Sequence, residues 1–330
     1  MMCCARAWKT ADPAAKMGDF EKKLKRAGSV SREKLGEEVV FYLPGMFSYN
    51  GLKGAYPAVS ITGDRCALMC DHCQARILAP MPTTTSPDEL IETCSRLAQG
   101  GCLGVLISGG CDAEGRLPWE RFIPAIRTIK RKTGLYISIH SGLVDAETAR
   151  ALKAAGVDQA LMDIIGDEAT YRRVCHVDFG IERILSSLSA LTEAQLPAVP
   201  HVICGLNHGR LKGEMKALEM VSGFPIEQLV IVSLMAIRGT PFEGITPPGA
   251  EAVADIIAEA RFLMPRVRMS LGCARTRGDE ALELMALDAG INRMALPSDA
   301  AIDRASALGL DIRYQRTCCS VGADFSNTYW

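Results

Sequence analysis

The chain has 330 residues, of which 48% are hydrophobic and 23% are charged, and its formal net charge is -1. This composition supplies enough apolar side chains for a large core and excludes disordered and fibrous proteins. A charge balance so close to zero disfavours nucleic acid as the main partner. The apolar runs are broken well before the roughly 18 residues of a membrane helix, and no secretory signal is recognisable, so we expect a cytoplasmic protein with no membrane span.

Residues 1–40 are polar and helix-prone, which predicts an N-terminal helical extension outside the main domain. Beyond them, short apolar runs alternate with amphipathic stretches, the pattern of successive βα units. The predicted strands are 58–62, 104–108, 136–140, 159–164, 198–204, 228–235, 266–271 and 293–296. Eight such units close into a barrel. We therefore predict an α/β fold, an eight-stranded parallel (βα)8 TIM-type barrel over residues 41–312, with a cysteine-containing tail over residues 313–330.

The first predicted strand leads into the loop CALMCDHC at residues 66–73, which carries the thiols of Cys66, Cys70 and Cys73. An open doubly wound sheet, the alternative fold, would need a glycine-rich phosphate loop at this point. The odd total of 13 cysteines argues against a disulfide framework. Three thiolates suit a cubane iron–sulfur cluster whose fourth iron takes another ligand. Zinc is the competing metal, but a structural zinc site needs four closed ligands, and His72 is poorly placed to be the fourth.

With this loop the sequence resembles the radical S-adenosylmethionine (SAM) superfamily, whose signature is C-x3-C-x2-C after the first barrel strand. The resemblance implies that Cys66, Cys70 and Cys73 hold a [4Fe–4S] cluster, with the amino and carboxylate groups of SAM on the fourth iron. It also implies reductive cleavage of SAM to a 5′-deoxyadenosyl radical that abstracts hydrogen from the substrate.

Further residues are assigned to SAM by the same resemblance. Ser108, Gly109 and Gly110 look like the family's glycine-rich turn after the second strand, although Cys111 stands where an acidic residue is usual. The other cofactor-binding candidates are His72, Asp163, Gly205 and Arg238. Arg238, Arg275 and Arg277 could bind a carboxylate, and for each of them a structural ion pair is an equal alternative.

A second group of thiols follows from the position of Cys273, which comes directly after the seventh predicted strand. The sequence here resembles the biotin synthase and lipoyl synthase branch, which carries an auxiliary cluster. The resemblance implies that Cys273, Cys318 and Cys319 hold a second iron–sulfur cluster, with Ser320, Cys111 or Cys102 as the fourth ligand. The alternative is a disordered tail with incidental thiols. Cys94, Cys175 and Cys204 are interpreted as buried small hydrophobic residues.

The pattern as a whole most resembles the two-component archaeal-type lipoyl synthases. This implies a sulfurtransferase that inserts sulfur into an unactivated C–H bond of a protein-bound octanoyl chain. The implied partners are an octanoyl (lipoyl) carrier protein, a second radical SAM subunit, and an electron donor such as ferredoxin or flavodoxin. A radical SAM mutase, methyltransferase or C–C lyase, for which Cys273 and the tail thiols would be dispensable, is the first alternative. A non-catalytic metal-binding barrel is the second.

Overall fold

The computed structural model describes residues 13–49 and 51–326. Its strands are β1 (Glu38–Tyr42), β2 (Ser48–Tyr49), β3 (Leu52–Lys53), β4 (Ala58–Ser60), β5 (Gly104–Ser108), β6 (Tyr136–His140), β7 (Gln159–Asp163), β8 (Ala198–Cys204), β9 (Gln228–Ser233), β10 (Arg268–Leu271), β11 (Arg293–Ala295) and β12 (Asp311–Gln315). Its α-helices are α1 (Pro13–Leu35), α2 (Pro87–Gln99), α3 (Trp119–Thr133), α4 (Ala146–Ala155), α5 (Glu168–Cys175), α6 (Glu182–Glu193), α7 (Glu214–Ser222), α8 (Ala250–Leu263), α9 (Glu280–Asp288) and α10 (Asp299–Ala307).

Ten strands form one curled parallel sheet in the order β12-β1-β11-β10-β9-β8-β7-β6-β5-β4, while β2 and β3 pair as a separate antiparallel hairpin. The edge strands of the curled sheet are β12 and β4, and the chains beside them are joined by a hydrogen bond from the Ala55 amide to the Arg316 carbonyl at 2.7 Å. The alternation of strands and helices places the helices outside this sheet, as expected for βα units.

The predicted number of eight strands is wrong, because the sheet contains ten. The eight predicted strands correspond to β4 to β11, and the two additional ones are β1 and β12, which pair with each other. β1 lies in the apolar run that begins at Val39, inside the segment we had divided at residue 41. β12 alternates exposed and half-buried positions because it is an edge strand, so its apolar content is low.

Two apolar layers result from the curl. The larger one lies between the sheet and the surrounding helices. The smaller one fills the inside of the curled sheet and contains Val40, Tyr42, Leu161, Val199, Val230, Val232, Ala295 and Cys319. Strands covered on both faces are buried along their whole length, as all six residues of β9 are.

Side-chain caps define several helix starts. Ser86 and Glu89 form a reciprocal capping box at α2, and Asp145, Asp167 and Ser298 cap α4, α5 and α10. The predicted N-terminal helix is present as α1, and it packs on α8 and α9. Among the described residues no helix has the length and apolarity to cross a membrane.

Candidate functional site

A cleft opens at the carboxyl-terminal ends of the strands from β5 to β8. Its cavity volume is about 170 Å³. The predicted residues that line it are Cys66, Cys70, His72, Cys73, Gly109, Gly110 and Asp163. The carboxyl-terminal position is the one where barrel enzymes of this architecture carry their active sites.

The loop that carries the three thiols is held to the turn after β5. The Ala67 amide donates to the Cys111 carbonyl at 2.7 Å, and the Cys111 amide donates to the Cys66 sulfur at 3.3 Å. A Cβ atom on Gly110 would lie 2.2 Å from the Arg65 carbonyl oxygen and 2.4 Å from the Cys66 Cβ. Glycine is therefore required at residue 110 because the loop passes directly over it.

The end of α5 holds the other side of the same loop. The Asp71 amide donates to the Val174 carbonyl at 2.8 Å, and Nε2 of His176 lies 3.0 Å from the Asp71 carboxylate. Between these two contacts, Cys175 faces the cleft beside Cys70. A hydrogen bond with the Cys175 thiol raises the pKa of Cys70 well above its usual value. The interpretation of Cys175 as an ordinary core residue is thus incomplete, since its sulfur belongs to the lining of the cleft.

The loop supplies donors of the kind that an iron–sulfur cluster takes, because each cysteine thiolate can bind one iron of a cubane. Within residues 13–49 and 51–326 no set of three or more His, Cys, Asp or Glu side chains is spaced to hold a single ion. His72, which lines the cleft, also has a buried Nδ1 without a hydrogen-bond partner. Such an orphaned polar atom is what a site for a polar cofactor leaves behind.

Polar groups from three neighbouring strands meet at the base of the cleft. Asp163 ends β7 and is paired in register with His201 on β8. The rings of His140 and His201 pack edge to face with centroids 5.8 Å apart. Burial lowers the pKa of His201 to about 4, so its imidazole is neutral at neutral pH. Sequence reasoning did not select His201, although its place opposite Asp163 on a parallel strand was a usable signal.

Three predicted SAM-binding residues lie outside the lining. Ser108 is buried at the end of β5, where its carbonyl accepts from the Ile61 amide at 2.8 Å. The Gly205 amide donates a hydrogen bond to the Glu214 carboxylate at 2.8 Å. Arg238 lies on the exposed loop after β9. Their direct contact with SAM stays a prediction.

The second predicted set of thiols does converge. Cys273, Cys318 and Cys319 pack together on the apolar cluster inside the curled sheet. Hydrogen bonding from Cys319 lowers the pKa of the Cys318 thiol, whereas burial raises the pKa of Cys273. A thiolate, the form that binds metal, is therefore favoured at the Cys318–Cys319 pair by the hydrogen bond between the two thiols.

One buried polar atom near these thiols has no protein partner, which fits a site for a polar group. It is the Tyr42 hydroxyl, which is buried without a hydrogen bond. The Ser270 side chain hydrogen-bonds with the Cys319 thiol, and the Arg293 guanidinium lies 5.8 Å from the Tyr42 ring centroid. Burial raises the pKa of the Cys273 thiol, and Arg277 and Arg275 both lower it in opposition to burial.

The three candidates for a fourth ligand separate in the structure. The Ser320 hydroxyl lies 3.1 Å from the Cys318 sulfur. Cys111 lines the cleft with Cys66 instead, and Cys102 is a partly exposed residue near Lys53 and Arg316. Of the three, Ser320 alone accompanies the second thiol group.

Two of the three arginine candidates have structural partners. Arg275 is buried and pairs with Glu283 at 2.5 Å, so the ion-pair alternative describes it. Arg277 lies over the Phe47 ring at 4.8 Å from its centroid. Burial lowers the pKa of Arg277, and the Cys273 thiol raises it in the opposite direction. Arg277 therefore lies near Cys273, as the buried Arg275 also does.

One layer of side chains separates the two thiol groups. Leu161 lines the cleft and also belongs to the apolar cluster that contains Cys319. Ile203 has the same double position. Both groups therefore face the inside of the same curled sheet.

The fold and the two groups of thiols agree with the protein families that the sequence matches. Residues 60–216 match the profile of the Radical SAM superfamily, and the chain belongs to that superfamily. Residues 230–325 match the Biotin and Thiamin Synthesis associated domain, which places the chain in the biotin synthase-like branch. The cofactors of that branch are a [4Fe–4S] cluster, SAM and an auxiliary cluster. That the two thiol groups hold these clusters stays a prediction.

Named proteins support the same placement. The chain is 30% identical over 187 residues to a biotin synthase of Burkholderia cenocepacia, covering 55% of each chain. It is 24% identical over 226 residues to biotin synthase 2 of Corynebacterium diphtheriae, covering 66% of this chain and 67% of that one. The match thus spans about half the length of the Burkholderia relative.

Solved structures agree on the fold. Methylornithine synthase (PylB) superimposes with a TM-score of 0.64 at 18% identity, covering 89% of both chains. The hydrogenase maturase HydG of Carboxydothermus hydrogenoformans superimposes with a TM-score of 0.63 at 13% identity, covering 89% of this chain and 72% of that chain. At these identities the likeness concerns the fold alone.

Proposed function

We propose that this protein is a radical SAM enzyme that inserts sulfur into an unactivated C–H bond. The observation that supports the proposal is the pair of thiol groups on either side of Leu161 and Ile203 inside one curled sheet. When bound, the [4Fe–4S] cluster with SAM supplies a carbon-centred radical, and the auxiliary cluster supplies the sulfur. A substrate carbon between the two groups would be within reach of both.

The protein's own residues bind and shield these groups. Cys66, Cys70 and Cys73 would hold the SAM cluster, and Cys273, Cys318 and Cys319 the auxiliary one. The wall between them is apolar, which suits an aliphatic substrate and excludes water from a reactive radical. The polar groups at the base of the cleft belong to His140, Asp163 and His201.

The finer proposal is that the substrate is an octanoyl chain carried on a protein, as in a lipoyl synthase component. The lining of the cleft supports an aliphatic chain, with Leu143, Leu161, Met162, Ile184, Ile203 and Leu206 among its residues. The matched relatives are named biotin synthase, so a biotin precursor is the competing substrate. We also propose an octanoyl carrier protein, a second radical SAM subunit, and ferredoxin or flavodoxin as partners.

Iron and sulfide content, with low-temperature EPR, tests the proposal on anaerobically reconstituted protein. We expect about eight irons in the wild type and about four in a Cys273→Ala/Cys318→Ala/Cys319→Ala variant. Cys94→Ala, a buried cysteine outside both groups, is the control and should keep all of its iron. About four irons in the wild type and the triple variant alike would reject sulfur insertion and favour a mutase, methyltransferase or C–C lyase. Absence of SAM cleavage by the wild type would instead favour a non-catalytic barrel.

A further inference from the structure

The segment after β12 enters the curled sheet at its amino-terminal end. Its contacts are with residues that begin strands, namely Tyr136 of β6, Gln159 of β7, Gln228 of β9 and Arg293 of β11. Parallel strands all begin at one end of the sheet, so this is the end opposite the SAM cleft. The tail is therefore held from the end of the sheet opposite the SAM cleft.

Three consecutive tail carbonyls each accept a hydrogen bond from a different strand. Gln228 Nε2 donates to Cys319 O at 2.6 Å, Gln159 Nε2 to Ser320 O at 2.7 Å, and Arg293 Nη1 to Val321 O at 2.6 Å. We call Gln159, Gln228 and Arg293 the tail anchor. Because each donor is matched to one carbonyl, the anchor selects which tail residues lie inside the sheet.

The tail anchor is a connected network in a buried region. Arg293 also donates to the Gln228 side-chain oxygen at 2.6 Å, and Tyr136 and the Gly322 amide both donate to the Gln159 oxygen at 2.9 Å. Gln159 is 1% exposed and Gln228 is 3% exposed. Buried amides without partners are costly, so these polar residues depend on the tail backbone for their hydrogen bonds.

We propose that Gln159, Gln228 and Arg293 are positioning residues that hold Cys318 and Cys319 against Cys273. The assignment of these thiols to an auxiliary cluster rests on the proposed function, whereas the anchoring itself rests on the hydrogen bonds. A shift of the tail by one residue would move both thiols away from Cys273. The anchor therefore determines whether the three thiols can act together.

The same geometry determines the side from which the tail thiols are reached. A cleft at the amino-terminal end is lined by Tyr136, Gln159, Val199, Gln228, Arg268 and Gly322, among others. Val199 also packs in the apolar cluster that contains Cys319. Release of the anchor thus exposes Cys318 and Cys319 at the end opposite SAM.

Thiol alkylation of the iron-free full chain tests the anchor. The variant Gln159→Glu/Gln228→Glu keeps both side-chain shapes and acceptor oxygens but removes the two amide donors. Pulsed labelling with N-ethylmaleimide and mass spectrometry then measure the reaction of each cysteine. Gln195→Glu, in the same cleft but without a tail contact, is the matched control. Arg293→Lys is the conservative variant of the third anchor residue, because it keeps a cationic donor at that position.

We expect the double variant to label Cys318 and Cys319 faster than the wild type by about tenfold or more. Labelling of Cys94 should stay slow in every variant, which shows that the fold is intact. After reconstitution, the double variant should lose the EPR signature of the auxiliary cluster and keep that of the SAM cluster. Gln195→Glu and Arg293→Lys should resemble the wild type.

If Cys318 and Cys319 are labelled equally fast in the wild type and the double variant, the proposal that the anchor positions these thiols is wrong. The same conclusion would follow from an unchanged auxiliary signature in the double variant. These results are separable from a failure of the proposed function. A wild type with about four irons would reject sulfur insertion, while the labelling of the iron-free chain would still decide the anchor.

Discussion

The backbone amide of Cys111 and the sulfur of Cys66 are 3.3 Å apart and share a hydrogen bond. This contact joins the turn after β5 to the thiol loop, and it requires the loop to lie directly on Gly110. A small change in that turn should therefore alter the geometry of the thiols as well as the packing. The contact connects a backbone requirement to the proposed chemistry.

Gly110→Ala should displace the thiol loop. Its new methyl group would meet the Arg65 carbonyl and the Cys66 Cβ at distances that atoms do not adopt, so the loop must move. We expect a destabilisation of about 1–3 kcal/mol in urea unfolding and reduced iron in the SAM cluster. Gly223→Ala, whose added Cβ would lie 3.6 Å from its nearest neighbour, is the control and should keep its iron. Full iron content in Gly110→Ala would contradict the tight approach.

Cys66→Ala should abolish SAM cleavage under anaerobic reducing conditions. The change removes one thiolate of the cluster loop while leaving the Cys111 amide in place. The measurement is 5′-deoxyadenosine by liquid chromatography. Cys111→Ala is the matched control, because it lines the same cleft and keeps its backbone bond to Cys66. SAM cleavage by Cys66→Ala would disprove the assignment of the loop, and its loss in Cys111→Ala would make Cys111 part of the site.

The stability of the iron-free chain should decrease as the pH is lowered, partly because of His201. Burial lowers its folded pKa to about 4, with Asp163 raising and His140 lowering it further, whereas an unfolded histidine titrates near about 6.5. Between these values the unfolded chain binds a proton that the folded chain does not, so stability is lost as pH falls through this window. His201→Gln should remove up to about 3 kcal/mol of that pH dependence.

Urea unfolding of the wild type and His201→Gln at about pH 7 and about pH 4.5 measures this difference. The two chains should differ in the change of unfolding free energy between the two pH values. Parallel curves for both chains would mean that His201 titrates in the fold as it does in the unfolded chain.

Glu283→Gln should strongly destabilise the fold. Arg275 and Glu283 form an ion pair in which both side chains are almost fully buried, so removal of the carboxylate charge leaves the Arg275 cation unpaired. We expect a loss of about 3–5 kcal/mol in urea unfolding. Glu219→Gln, whose partner Lys216 is exposed, should change the unfolding free energy by less than about 0.5 kcal/mol. Similar losses in both variants would contradict the buried pair.

Local sequence patterns predicted the elements that are defined by local chemistry. The apolar runs gave the eight strands from β4 to β11, and the first thiol loop follows the first of them. β12 was missed because an edge strand has few buried side chains. The role of Cys175 was missed because its position at the end of α5 shows only that it is buried.

Long-range relationships could not be read in the same way. The convergence of Cys273, Cys318 and Cys319 was anticipated from a family resemblance rather than from the residues themselves. The direction from which the tail arrives depends on bonds such as Gln159 to Ser320, which are 161 residues apart in the chain. The periodicity of apolar residues along the chain gives no sign of such a long-range contact. Polar residues at the starts of buried strands, as in β7 and β9, are the one local sign that something polar must meet them there.

The pairing of β1 with β11 and β12 has a consequence for folding during synthesis. A nascent chain emerges from the ribosome with β1 first, and both neighbours of that strand are more than 250 residues later in the chain, at Arg293–Ala295 and Asp311–Gln315. Domains fold as they are made, yet β1 stays unpaired until those segments emerge. The cluster loop at residues 66–73 leaves the ribosome long before Cys318 and Cys319. We therefore expect the SAM centre to be able to form before the auxiliary thiols have met.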